Sequence, residues 1–237
     1  MPGSRTTLAS RPSSNRTLPA VAGGLVLFAA ATRRARRRTV SSREERIYRA
    51  FNRADNTVDL LVWPVMQMGS LGGALGVAAA FGLTGRRVTA AAIAASGTGI
   101  WGGVKLVKPF IDRGRPARHL AGVHIRGKEQ TGLGFPSGHT AVSLTVAIIG
   151  SRVVSPRAAV ALYAASATTA ASRMYVGAHL PLDVMGGVGL GLVTGGITVA
   201  ILDRAEERDR ERGVQSVEVQ GSPGAMMASA TWHSAGA

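Results

Sequence analysis

SRMYVGAHLPLDVMGGVGLGLVTGGITVAIL, residues 172–202, sets a cluster of ionisable residues directly before an uncharged run rich in Val, Leu and Gly. The run, 184–202, approaches the roughly 20 residues that an α-helix needs to cross a hydrocarbon layer about 30 Å thick. Four more uncharged stretches precede it, at 60–85, 88–104, 130–151 and 158–172. A soluble chain of this length seldom carries so many, so the sequence predicts an all-α, polytopic membrane helix bundle. Ionisable residues at the edges of such helices are costly unless they have a task.

The chain has 237 residues, a formal net charge of +15 and no cysteine. That length fits one domain. The charge alone would suit nucleic acid or an anionic membrane. Lys and Arg fall at the ends of the apolar stretches and in the loops, which is the headgroup pattern of a membrane protein and points away from nucleic acid. Without cysteine there is neither a disulfide framework nor a thiolate metal site.

Residues 1–16 read as a disordered basic tail and 204–237 as a disordered cytoplasmic tail, leaving a membrane domain at 17–203 with a motif core at 108–183. The apolar segment 17–32 suits a first membrane helix, an interfacial segment or a signal-peptide core. Residues 33–56 contain nine arginines, with a run at Arg33 to Arg38, and read as an amphipathic surface stretch whose apolar side is Ile47, Tyr48, Phe51 and Val40. Pro64 and Gln67 predict a kink before a span near 69–83. Further helices are expected at 88–104, 137–154, 157–175 and 181–202, giving five or six transmembrane helices in all. Gly187, Gly191 and Gly195 lie four apart, as do Gly69 and Gly73, and Gly99 and Gly103, a spacing that lets helices approach closely in lipid.

Three polar clusters sit where these helices meet loops: Lys108 with Arg115-Pro116, Pro136-Ser137-Gly138-His139, and Ser172-Arg173 with His179 and Asp183. Lys108, Arg115 and Arg173 offer three cations, two of them guanidinium forks matched to phosphate oxygens. Ser137, at a helix start, could cap the helix and leave the N–H groups of Gly138 and His139 aimed at an anion. Asp183, four residues beyond His179 and just after Pro181, can reach one ring nitrogen and leave the other as a nucleophile. His139 is then free to act as general acid. Taken singly, each is a headgroup anchor or a satisfied polar residue. Their joint order along successive apolar helices is what points to phosphoryl chemistry.

The three clusters resemble the signature motifs of the type-2 phosphatidic acid phosphatase superfamily: Lys-x6-Arg-Pro, Pro-Ser-Gly-His, and Ser-Arg-x5-His-x3-Asp, matched here without a departure. The resemblance covers roughly residues 44–203. It implies a membrane phosphatase acting on a lipid phosphate or polyprenyl diphosphate, a phosphoric monoester or diphosphate hydrolase. It assigns His179 as the nucleophile that becomes a phosphohistidine, Asp183 as its orienting carboxylate and His139 as the acid. Lys108, Arg115, Ser137, Gly138 and Arg173 would bind the phosphate, with no metal and no cofactor required.

Other readings use the same residues. A phosphotransferase passing the group to an acceptor other than water would look alike, and a vanadate-dependent haloperoxidase has a similar oxyanion pocket but is soluble and larger. A non-enzymatic basic membrane scaffold would use the Arg33 to Arg38 run and leave the three clusters unexplained. The resemblance implies a multi-pass cell-membrane protein with an extracytoplasmic site. That orientation places the arginine run outside, against the positive-inside rule.

Overall fold

The computed structural model describes residues 14–55 and 59–221, and every element in them is helical. The tail expectations for 1–13 and 222–237 fall outside those residues. The helices are α1 (Ser14–Ala35), α2 (Ser42–Asn52), α3 (Asp59–Met66), α4 (Leu71–Leu83), α5 (Arg87–Ile111), α6 (Gly138–Gly150), α7 (Pro156–Tyr175) and α8 (Pro181–Gly221). Short 3-10 turns occupy Gln67–Gly69 and Pro116–Arg118.

Local chemistry sets most of the boundaries. Ser41, Ser70 and Ser155 each precede a helix in extended conformation and accept an N–H of its first turn, from Glu44, Gly73 and Ala158. Pro156 then opens α7, where its missing N–H costs nothing. The expected break near Pro64 falls slightly later: Pro64 stays inside α3, and the chain bends by 85° across residues 67–70 into α4.

Residues 15–199 form one compact unit. In it α4 packs on α5, and α6 lies between α5 and α7. The glycine ladder on α8 does what its spacing predicts: a methyl group at Gly187 would lie 2.8 Å from Thr140 Cβ, and one at Gly191 or Gly195 would lie 2.9 Å from Leu144 Cβ or Ile148 Cβ. Gly189, on another face, meets Gly24 and Phe28 of α1 equally closely. By contrast Gly99 and Gly103 face open space, so that pair has no packing role among the described residues.

Large apolar side chains lie on the outside, and small hydroxyls are buried among the apolar residues within. Leu83, Phe110, Leu106 and Val88 are 90%, 78%, 73% and 68% exposed, while Thr89, Ser143, Thr145, Ser166 and Thr169 are buried. The hydroxyls join helices, Ser143 to Ser166 at 3.2 Å and Ser96 to Thr198 at 2.9 Å. A bundle that packs its small polar residues inward and turns leucine outward is suited to lipid. Among the described residues two helical segments, Arg87–Arg118 and Pro181–Arg212, are long and apolar enough to cross a membrane, and the bent pair Val62–Gly69 with Leu71–Leu83 makes a third if it is one broken span. α6, with 13 residues, is shorter than the expected helix at 137–154.

Two expectations change. α8 does not end near Leu202 but continues to Gly221, so residues 204–221 are helical rather than irregular. Its charged stretch can carry i,i+4 pairs such as Glu206 with Arg210, 3.9 Å apart. The second change concerns α2. Its inward face is Glu44, Tyr48 and Asn52, while Ile47 and Phe51 are exposed. A carboxylate faces inward there because a buried guanidinium awaits it.

Candidate active site

The C-terminal end of α7 places the third cluster. Gly177, at φ +78°, turns the chain out of the helix, and a Cβ there would press on the His124 carbonyl oxygen at 2.6 Å. Only glycine accommodates both demands. The amides of Ala178 and His179 then both donate to the Arg173 carbonyl, each at 3.0 Å, which ties the nucleophile candidate to the helix end carrying Arg173. His179 is 3% exposed. Pro181 restarts the chain as α8 and delivers Asp183 one turn further on.

Asp183 is fully buried. Its Oδ2 accepts the Leu180 N–H at 2.9 Å and lies 3.6 Å from His179 Nδ1, within ion-pair range but longer than a hydrogen bond. Nδ1 accordingly has no hydrogen-bond partner, where the sequence led us to expect one from Asp183. The other carboxylate oxygen, Oδ1, receives Arg113 Nη1 at 3.3 Å. Arg113 is fully buried and donates through Nη2 to Glu44 Oε2 at 2.8 Å.

Lys108, on the last turn of α5, donates to the carbonyls of Leu133 at 2.7 Å and Gly134 at 3.3 Å. Arg115 donates to Thr131 O at 3.0 Å and to Ala178 O at 2.8 Å, next to His179. Arg173 reaches Met66 Sδ at 2.9 Å through Nη1, and its Nε is buried without a partner. A cleft of about 170 Å³ is bounded by Arg115, His139 and Arg173, with Trp63, Met66 and Gln130 among its other walls. Lys108, His179 and Asp183 are not among the residues lining that cleft.

The second cluster enters through the start of α6. Ser137 occupies the N-cap position, yet its side chain does not bond a helix N–H; its hydroxyl instead accepts from Thr140 at 3.0 Å. Its own amide donates to the Asp183 carbonyl at 2.8 Å, joining the second and third clusters. Gly138 has a Cβ position that meets only Val104 at 3.5 Å, an ordinary contact. Burial first, and then the positive charges of Arg173, Lys108 and Arg115 together with His139, hold His179 well below the usual histidine pKa. The imidazole is therefore neutral near pH 7, the form that can attack phosphorus.

Arg115, His139 and Arg173 share the cleft, and backbone bonds tie Arg115 to Ala178 and Ser137 to Asp183, while Lys108, His179 and Asp183 lie outside its lining; Arg113 and Glu44 stand behind Asp183. Arg113 sits in a loop with several other cations, and Glu44 in a stretch crowded with arginines, so neither stands out by composition. Two hints were available: Asp183, at a helix start in an apolar chain, needed a counterion, and Glu44, Tyr48 and Asn52 lie four apart on one helical face. Among the described residues no group of three or more His, Cys, Asp or Glu side chains could hold a metal ion.

Comparison with known proteins agrees with this architecture. The fold is similar to the crystal structure of Aquifex aeolicus LpxE, with 23% identity and a TM-score of 0.59 over 65% of this chain and 93% of that one. It is also similar to the first transmembrane PAP2-type phosphatidylglycerolphosphate phosphatase from Bacillus subtilis, with 19% identity and a TM-score of 0.61 over 79% of this chain and 96% of that one. No curated protein matches the sequence. A family model, that of the PAP2 superfamily, matches residues 85–207, which take in all three clusters and more than half of the chain; the protein belongs to that superfamily.

Proposed function

We propose that this protein is a multi-pass membrane phosphatase that hydrolyses a lipid phosphate or polyprenyl diphosphate through a phosphohistidine. The observation that carries the reading is the meeting of Arg115 and Arg173 with His139 around one cleft, while the backbone of Ala178 and His179 is held by those same two arginines. Three cations and two histidines at one end of a helix bundle suit a phosphate dianion on a lipid.

In the proposed reaction Nε2 of His179 attacks phosphorus as the bond from phosphorus to the leaving oxygen breaks, and His139 gives that oxygen a proton. Lys108, Arg115 and Arg173 take the charge on the non-bridging oxygens, with the Ser137 side chain and the amides of Gly138 and His139 as further donors. Water, deprotonated by His139, then attacks the phosphohistidine and releases inorganic phosphate. Asp183 supports the positive charge that grows on His179. We further place the site at the extracytoplasmic face of the cell membrane in a bundle of five or six spans, with undecaprenyl diphosphate the first substrate to try and phosphatidic acid and phosphatidylglycerol phosphate next.

The test is phosphate release from these three lipids by the purified protein in detergent, with an acid quench to trap phosphoenzyme. Turnover of at least one lipid, abolished in His179→Ala, is expected. Equal turnover by the variant, or none by the native protein on any of the three, would overturn the reading.

A further inference from the structure

Glu44, Arg113 and Asp183 form a continuous buried chain of charges behind the proposed nucleophile. Arg113 lies between the two carboxylates, 2.8 Å from Glu44 Oε2 and 3.3 Å from Asp183 Oδ1. The side chains of Arg113 and Asp183 are 0% exposed and that of Glu44 is 5% exposed. The remaining oxygen of Glu44, Oε1, accepts the N–H of Leu182 at 3.1 Å, so one carboxylate grips both the guanidinium and the first turn of the helix that carries Asp183.

Stability alone is a weak reason for such an arrangement. Apolar side chains of similar volume often serve a fold as well as a buried ion triad, because three desolvated charges recover little net energy. What the triad supplies is direction. Both oxygens of Asp183 are spoken for, one by Arg113 and one by the Leu180 amide, so the carboxylate cannot rotate away from His179 without breaking a buried contact.

α2 is seated to carry this load at its other end as well. Asn52, two turns beyond Glu44 on the same face, donates to the carbonyls of His124, Tyr175 and Met174 at 2.8, 3.1 and 3.3 Å, and its Oδ1 accepts the His124 N–H at 2.9 Å. The helix therefore spans from the start of α8 to the end of α7, the two segments between which His179 is held.

We propose that α2 is a positioning arm of the active site, with Glu44 and Arg113 as positioning residues that act on His179 through Asp183. The inference rests on His179 being the nucleophile. Glu44→Gln keeps the size of the side chain and an acceptor for Leu182, and removes the charge that Arg113 faces. Its kcat should fall about 10- to 100-fold, the usual cost of losing an orienting partner behind an active group. KM should stay within about threefold, since the phosphate-binding cations are untouched, and phosphoenzyme formation should slow by the same factor as kcat. Arg113→Met should lose at least as much, and the double variant no more than Arg113→Met alone, because both substitutions cut one chain. Glu45→Gln, on the same helix but paired with Arg49 rather than Arg113, should match the native enzyme.

A second readout does not depend on turnover. With ¹⁵N-labelled histidine, the His179 ring, assigned by its absence from His179→Ala, should show one fixed tautomer in the native protein and a mixture in Glu44→Gln. If the native protein hydrolyses none of the three lipids, the phosphatase reading fails and this spectrum alone decides the role of the arm. Unchanged kcat in both Glu44→Gln and Arg113→Met, a loss shared by Glu45→Gln, or a His179 spectrum identical to native would overturn the proposal.

Discussion

Asp183 Oδ2 and His179 Nδ1 stand 3.6 Å apart, and the oxygen is already engaged by the Leu180 amide at 2.9 Å. The carboxylate is thus fixed by the turn that follows His179, and the imidazole needs to move by about half an ångström to reach hydrogen-bond distance. Catalytic contacts that are long in a free enzyme commonly tighten when substrate binds. The movement belongs to His179, since Asp183 is held from two sides.

Division of labour between the histidines can be read from the choice of leaving group. His179→Ala should abolish turnover of every substrate, because the nucleophile is gone. His139→Ala should cost about 10²- to 10⁴-fold on a lipid monophosphate, whose alkoxide leaves poorly, and much less on a nitrophenyl ester. Comparative kcat/KM values on the two substrates check this; a His179 variant that still turns over the activated ester at a near-native rate would reverse the roles.

The dependence on pH follows from the environment of His179. Held well below the usual 6.5, it stays neutral through the range in which an ordinary histidine titrates, so kcat/KM should remain high down to pH 6 and fall only at lower pH. Bound phosphate dianion opposes the three cations, so the acid limb of kcat should lie at higher pH than that of kcat/KM. Linkage has the same sign for stability: the unfolded chain takes up the proton first, and the contribution of neutral His179 is complete above pH 6.5 and lost as pH falls. Rate and melting profiles from pH 4 to 8 would show both.

Charge neutralisation in the proposed mechanism comes from Lys108, Arg115 and Arg173, so hydrolysis should continue at an undiminished rate in excess EDTA. Strict dependence on added magnesium in a phosphate-release assay would contradict the assignment.

Packing predicts a contrast between two sets of glycines. Gly191→Leu forces a side chain into Leu144 and the Ala141 carbonyl and should destabilise the protein by about 1–3 kcal/mol or more, the usual cost of overpacking. Gly99→Ala and Gly103→Ala meet nothing within 4 Å and should leave the detergent melting temperature unchanged or slightly raised. Thermal unfolding of the three variants separates them.

The three polar clusters stand out in the sequence because each combines residue types that an apolar helix does not keep idly, and because three of them occur in order. The α8 ladder was legible for a related reason: spacing on one helix is local information. Whether Gly99 and Gly103 find a partner is not local, and the same spacing gave no contact there. Glu44 and Arg113 were hidden by their surroundings. A periodicity search looks for apolar faces, and α2 buries Glu44, Tyr48 and Asn52 while turning Ile47 and Phe51 outward. One cation in a loop that holds several carries no mark of being the buried one until its partner is seen.

Lys108 and Arg115 are held by carbonyl oxygens of residues 131, 133, 134 and 178. In the proposed reaction an arriving phosphate would exchange partners with the backbone instead of meeting bare charge, and those carbonyls would act as intramolecular rivals for the same donors. A rival built of neutral carbonyls would lose to a dianion that engages several cations at once and hold its own against a singly charged ion, which would make the resting site selective by valence before any lipid tail is felt. When product leaves, the carbonyls would return to Lys108 and Arg115, so two of the three cations would be re-paired as phosphate departs.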